Sequence, residues 1–282
     1  MRVELRRATK QDQSAVELVE SQATRNLKYL PFVYDEFVSD MDGEFSVAEV
    51  DGEIAGCGKF TVLPDGSAWL EALRVMPSHQ GKGIGKAFYQ RFFDLAHARD
   101  IRVMRMYTGV KNVVSKGLAE RFGFTLAAKY RGAGKSAGDD EKAPAAAFVQ
   151  VNDPKRATGL LMPLKERWTG FVVMNRTFCE LTPSLCEAWT REGKVFEDPA
   201  SGSVVALGAR FMPKQAVHFA VFGGDEELCL DFAMSHAAAK GVSWLQCMFP
   251  PGASDIQKTL VGHGFNLDES DYIVMQVKVD TL

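Results

Sequence analysis

The sequence predicts an α/β protein: a mixed, mostly antiparallel sheet flanked by helices, built twice along the chain. Three observations carry this. Short apolar runs separated by Asp-Gly and Pro-Asp-Gly turns read as strands. Runs with apolar residues every three or four positions read as helices. The element order of the first half then returns in the second. The 282 residues, 46% apolar and 24% charged, suffice for two ordinary domains with their own cores.

The elements follow in order. VELRRAT is a short strand, KQDQSAVELVESQ has helical spacing, and LKYLPFVYDEFVSDM is a second helix entered at Pro31, a favoured first-turn residue. EFSVAEV, the turn Asp51-Gly52 and EIAGCGKFTVL form a hairpin, and PDG turns the chain into SAWLEALRVM. After a glycine cluster, Ile84, Ala87, Phe88, Phe92, Leu95 and Ala96 mark one apolar helix face. IRVMRMYT is a strand, and VVSKGLAERFGF a short helix closed by Gly123. From Arg131 to Ala147 the chain lacks large apolar residues, which predicts a loop or linker. Beyond about residue 160 the pattern of hairpin, strand, helix, strand, helix and closing strand repeats. Setting Phe265 on Phe124 gives an offset of 265 − 124 = 141, with which Ala239 falls on Ala98. The reading is a tandem duplication with domains at residues 1–150 and 151–282.

Net charge is −3, without a lysine-arginine block, so no nucleic-acid footprint is expected. The five cysteines are scattered and the five histidines lack ligand spacing, so neither disulfides nor a metal is expected. No apolar run reaches the roughly 20 residues of a membrane span, and MRVELRRATKQDQ has no signal-type apolar stretch. A cytoplasmic protein without membrane or nucleic-acid partners is expected.

The chemistry concentrates in RVMPSHQGKGIGKAF. Gly81, Gly83 and Gly85 sit between a strand and a helix, beside Lys82 and Lys86. A helix N-terminus presents unpaired N–H groups and a positive dipole end, and glycines let a phosphate reach them. A tight strand-to-helix turn that needs glycine for its own geometry is the competing reading. The Walker pattern is absent, and the dinucleotide fingerprint would follow a parallel strand rather than an antiparallel meander.

The same residues resemble the acetyl-CoA motif of the GNAT family of N-acetyltransferases, Gln/Arg-x-x-Gly-x-Gly/Ala, at Gln80, Gly83 and Gly85. Leu73-Arg74-Val75-x-Pro77 upstream, the amphipathic helix downstream, Asn112 and Gly123-Phe124 stand at family-like spacing. The resemblance implies tandem GNAT folds with splayed central strands. It implies acetyl-CoA as cosubstrate, with its arm paired to the backbone at Leu73, Arg74 and Val75. The pyrophosphate would lie on the N–H groups of Gly81, Lys82, Gly83, Ile84, Gly85 and Lys86, and Asn112 and Ser115 would line the far side of the arm. Asn112 also suits a helix N-cap. The second half has only Gly223-Gly224-Asp225 where the first has QGKGIG, so it is read as a degenerate copy without the pyrophosphate loop.

The implied reaction is acetyl transfer to a primary amine of a small molecule. Glu71 is the candidate base, on the face of Leu73 if the strand is regular; a structural carboxylate, exposed or paired with a lysine, is the alternative. The family's usual tyrosine acid falls on Ala119, so Tyr107 is the substitute, or else a packing residue. Arg25, Tyr29 and Tyr34 are acceptor candidates, with surface charge and core packing as the competing roles. LKYLPFVYDEFV with WLEALRVMP is similar to the group containing the animal histidine N-acetyltransferases, which favours an amino acid acceptor. A non-catalytic acyl-CoA-binding or sensing protein is the alternative function. The duplication makes an internal pseudo-dimer, and hence a monomer, sufficient; a homodimer stays open.

Overall fold

A computed structural model describes residues 3–24, 27–137 and 148–279. The chain divides into two compact units, which are not two consecutive blocks. Unit 1 holds residues 1–107 and 113–125 together with 275–282; unit 2 holds residues 108–112 and 126–274.

Unit 1 runs β1 (Val3–Arg7), α1 (Gln13–Ala23), α2 (Leu30–Ser39), β2 (Glu44–Val50), β3 (Glu53–Val62), β4 (Ala68–Val75), α3 (Ile84–Ala98), β5 (Val103–Gly109) and α4 (Val113–Arg121). Its strands lie in the order β1-β2-β3-β4-β5, antiparallel except for the parallel pair β4–β5. Glycines on β3 bring α3 close. A Cβ on Gly58 would stand 3.0 Å from both Phe88 and Phe92. The expected apolar face of α3 is the buried one: Ile84, Phe88, Phe92, Leu95 and Ala96 are all core residues. Pro31 lies in the first turn of α2, as expected, and the buried Glu20 carboxylate accepts the N–H groups of Tyr29 and Leu30 there.

Unit 2 continues with β6 (Thr125–Ser136), β7 (Val149–Gln150), α5 (Pro154–Leu161), β8 (Phe171–Met174), β9 (Thr177–Glu180), α6 (Pro183–Arg191), β10 (Val195–Asp198), β11 (Ser203–Gly208), β12 (Val217–Gly223), α7 (Glu226–Ala239), β13 (Trp244–Phe249), α8 (Ser254–Gly262), β14 (Asn266–Leu267) and β15 (Tyr272–Lys278). Its sheet runs β6-β13-β12-β11-β10-β7, with β12–β13 the parallel pair. This is the element logic of unit 1 again. The residues 275–278 of β15 belong to unit 1, beside β5, where Gln276 accepts from Arg105 Nε at 2.7 Å.

One expectation is corrected. The segment from Arg131 is not a loop at its start, because β6 runs to Ser136 and pairs with β13 from Phe249↔Arg131 to Trp244↔Ser136. The glycines there make room rather than turns: a Cβ on Gly134 would lie 2.5 Å from the Trp244 ring, and one on Gly132 would collide with Asp268. The rest of the expected loop, residues 138–147, lies outside the described residues.

The turn between β3 and β4 is tied to β5 by a buried ion pair. Arg105 Nη1, on a side chain 3% exposed, lies 2.9 Å from the fully buried Asp65 Oδ2 and also donates to Ser67 Oγ at 2.8 Å. Removing one partner of such a pair strands a charge in a poorly solvated place. Asp65→Ala is therefore expected to lower unfolding free energy by about 3 kcal/mol, read as a reduced urea midpoint with an unchanged slope.

Candidate active site

The site is built around one irregularity in β4. Cys57 and Lys59 of β3 face Arg74 and Glu71, so the single residue Gly58 is matched by two, Ala72 and Leu73. This is a β-bulge. Ala72 takes a left-handed backbone, φ 55°, which costs energy in any residue with a Cβ. The buried Cys57 Sγ donates weakly to the Ala72 carbonyl at 3.5 Å.

Next to the bulge the central strands part. β4 and β5 pair only at Ala68↔Met104 and Trp69↔Arg105, although β4 continues to Val75 and β5 to Gly109. Past Trp69, the side of β4 that faces β5 has no ladder partner from β5. An extended chain of suitable length can meet such backbone groups as an added strand would.

The wide end of this wedge leads into the loop Met76–Gly83 and then α3. The Met76 N–H donates to the Ala55 carbonyl at 2.9 Å and Gln80 Nε2 to the Val75 carbonyl at 3.2 Å, which fixes the loop to the sheet. Gly81 (φ 74°) and Gly83 (φ 86°) are left-handed, and a Cβ on either would meet nothing within 4 Å. Gly85 has another role, since a Cβ there would stand 2.9 Å from Leu118 Cδ2 of α4. Gly83 caps α3 without any side-chain hydrogen bond, and no acidic residue occupies the first turn. The first N–H groups of α3 thus lack a side-chain cap at the positive dipole end, flanked by the exposed Lys82 and Lys86. That is the arrangement that binds phosphate.

Unit 2 lacks it. Between β12 and α7 stand only Gly224 and Asp225, against the eight residues Met76–Gly83 of unit 1. The Asp225 carboxylate caps α7 itself, accepting from the Leu228 N–H at 3.2 Å, and Glu226 and Glu227 fill the first turn. Arg167 then pairs with Glu226 and, at 2.6 Å, with Asp255. Negative charge of the chain's own occupies the place a phosphate would need.

The remaining sequence candidates fall as follows. Glu71 is 9% exposed, and its Oε1 accepts from Thr61 Oγ1 at 2.6 Å. The expectation that it shares a face with Leu73 required a regular strand, and the bulge breaks that alternation. Tyr107 lies flat on Trp69, ring centroids 5.9 Å apart and 4° from parallel. Leu73, Arg74 and Val75 are half-buried on β4 beside the wedge, Ile84 is buried at the start of α3, and Ser115 is half-buried in the first turn of α4. Asn112 ends the turn after β5, its N–H donating to the Gly109 carbonyl at 2.9 Å. Tyr34 does not wall a pocket: it is 1% exposed, its hydroxyl donates to the Thr9 carbonyl at 2.8 Å, and burial pushes that hydroxyl's pKa up. Its place in an apolar helix face pulls it into the core against Phe45. Tyr29 is half-buried at the entry to α2, and Arg25 lies outside the described residues. Ala119, where the family's tyrosine would stand, is fully buried. What sequence reasoning missed is the Arg74 side chain, valued only for its backbone. A charged residue inside the apolar run WLEALRVM was the available signal.

Unit 1 thus sets a strand-loop-helix anion cradle beside a parted parallel pair. Residues 9–124 match the model of the Acetyltransferase (GNAT) family. The fold of the whole chain is similar to a GCN5-related N-acetyltransferase from Sphaerobacter thermophilus (13% identity, 99% of this chain and 97% of that one, TM-score 0.67). It is also similar to a tandem GNAT protein from the clavulanic acid biosynthesis pathway (12% identity, 100% of both chains, TM-score 0.61). A third similar fold is a GCN5-related N-acetyltransferase from Kribbella flavida (13% identity, 98% and 70% coverage, TM-score 0.55). No curated protein sequence matches the chain. Among the described residues no helix is long and apolar enough to cross a membrane.

The left-handed glycine can be tested alone. In Gly83→Ala the new methyl meets open space, so the cost is backbone strain only. Stability is expected to fall by about 1 kcal/mol, roughly 2–4 °C in thermal melts.

Proposed function

We propose that the chain is an acetyl-CoA-dependent N-acetyltransferase acting on the primary amine of a small molecule, with amino acids the favoured acceptor class. Unit 1 carries the chemistry and unit 2 is its non-catalytic partner, a division that departs from the expected halves 1–150 and 151–282. The observation that carries this reading is the wedge. Two ladder pairs between β4 and β5 are followed by six β4 residues without one, and the wedge opens toward an uncapped helix N-terminus.

When bound, acetyl-CoA supplies the acyl thioester. The backbone of Leu73 to Val75 holds its arm, and the N–H groups from Gly81 to Lys86 hold its pyrophosphate. The residues present fit both: Gly81 and Gly83 leave space where a side chain would stand, and no carboxylate of α3's first turn competes. Glu71 takes the amine proton, directly or through water, as the amine nitrogen bonds to the acyl carbon and the carbon–sulfur bond breaks. Thr61 orients the Glu71 carboxylate. The β4 N–H groups near the bulge stabilise the oxygen that gains charge. The sulfur leaves as thiolate or takes a proton from Tyr107. Ala119 cannot supply one, and this favours the second reading, a non-catalytic acyl-CoA sensor.

Calorimetry with coenzyme A and a free-thiol assay over an amine panel separate the readings. Binding with amine-dependent thiol release is expected, and binding without release under every amine points to the sensor. Glu71→Gln is expected to lower kcat about 100-fold or more with coenzyme A affinity unchanged. Gly83→Val is expected to weaken coenzyme A binding while unit 2 keeps its fold by circular dichroism.

A further inference from the structure

The bulge at Ala72 has a geometric effect beyond opening the wedge. On β3, Gly56 and Gly58 point at α3, where added Cβ atoms would meet Phe88 and Phe92. Cys57 and Lys59 therefore point to the other face, where the Lys59 ammonium is bonded to Asp40 at the end of α2. Directly paired residues share a face, so Arg74, opposite Cys57, and Glu71, opposite Lys59, both lie on the face toward α1 and α2. In a regular strand residues three apart point to opposite faces; the extra residue puts these two on the same one. They are separated by the span of Cys57 to Lys59, roughly 7 Å along the strand.

Arg74 is incompletely partnered. Its Nη1 donates to the Leu73 carbonyl at 3.1 Å, but its buried Nε has no hydrogen-bond partner among the described residues. The other charges nearby are committed. Lys59 donates to Asp40 and to the Phe60 carbonyl, and Glu20 accepts the N–H groups of Tyr29 and Leu30. That Arg74 lies under α1 has a second sign: the buried Cys57 thiol, pushed up to about 12 chiefly by burial, feels both Arg74 and Glu20. A buried guanidinium N–H without an acceptor costs stability unless a ligand supplies one.

We propose that Glu71 and Arg74, aligned by the bulge, read an α-amino acid: Arg74 binds the carboxylate of the acceptor while Glu71 faces its amine. This rests on the N-acetyltransferase reading and adds to it the residue that sets acceptor class. One carbon separates the amine and the carboxylate of an α-amino acid, and with a hydrogen bond at each end this spans the strand separation of the two side chains. Guanidinium to carboxylate is also the pairing with two matched N–H donors.

The test compares α-amino acids with the same compounds as carboxamides and as decarboxylated amines. Steady-state thiol release is measured with the wild-type chain, Arg74→Gln and Arg74→Lys, each checked for folding by thermal melt. The wild type is expected to prefer the free acid by roughly 10- to 100-fold in kcat/KM, the usual worth of a charged hydrogen bond. Arg74→Gln should erase that preference, raising acceptor KM for the free acid by roughly 10-fold or more beyond any change for the decarboxylated amine, with Arg74→Lys intermediate. Equal loss for the free acid and the decarboxylated amine overturns the role of Arg74. So does a wild type indifferent to the carboxylate, which needs no variant to read and leaves the acetyltransferase reading standing. Absence of coenzyme A binding and of thiol release overturns both.

Discussion

The constraint on which unit 1 depends is that two parallel strands are held together at one end and kept apart at the other. Parallel neighbours in a sheet normally pair along their length. Here the closed end is fastened by side chains, through Arg105 on β5 to Asp65 and Ser67 in the β3–β4 turn, and through Trp69 lying flat on Tyr107. The open end is enforced by the bulge, which turns β4 through a left-handed Ala72. Between these, the ladder stops after Trp69↔Arg105. A strand edge left without its partner is a place where another extended chain can add.

The two units share an element order and differ at this site. Unit 2 repeats the parting, since β12 and β13 pair only from Val217↔Leu245 to Phe219↔Cys247, and it repeats a bulge between Ala206 and Leu207 on the neighbouring strand pair. What differs is the approach to the helix. Eight residues in unit 1 stand against two in unit 2, and an aspartate caps α7 where a left-handed glycine heads α3. A helix terminus that satisfies its own N–H groups is more stable by itself and less available to an anion. The two needs oppose each other, and each unit settles on one side.

Much of this was legible in the sequence, because it rests on local chemistry. Three glycines before an amphipathic helix can be read without coordinates, as can Asp-Gly and Pro-Asp-Gly turns and the Pro31 entry of α2. The rest depends on partners distant in sequence. Gly132 and Gly134 read as loop residues, but they are strand residues whose missing side chains admit Asp268 and Trp244. Tyr34 read as either an acceptor residue or a core residue, and it is the latter, its hydroxyl donating to the Thr9 carbonyl. The bulge could be named as a risk and not located, because it shows only in the register between β3 and β4.

The same register explains why Arg74 escaped notice as a side chain. On a regular strand it would point away from Glu71, toward α3, where Phe88 and Phe92 form an apolar face that no unpaired guanidinium could join. One inserted residue moves it to the face of α1, the face to which the buried Cys57 also points. An arginine so placed is stabilised enough to be kept, yet not so fully bonded that an incoming acid must first break its contacts. Preorganised, partly satisfied groups of this kind are where binding selectivity is obtained at low reorganisation cost. The strain held at Ala72 and the orphaned N–H of Arg74 are then two sides of one local compromise between stability and recognition.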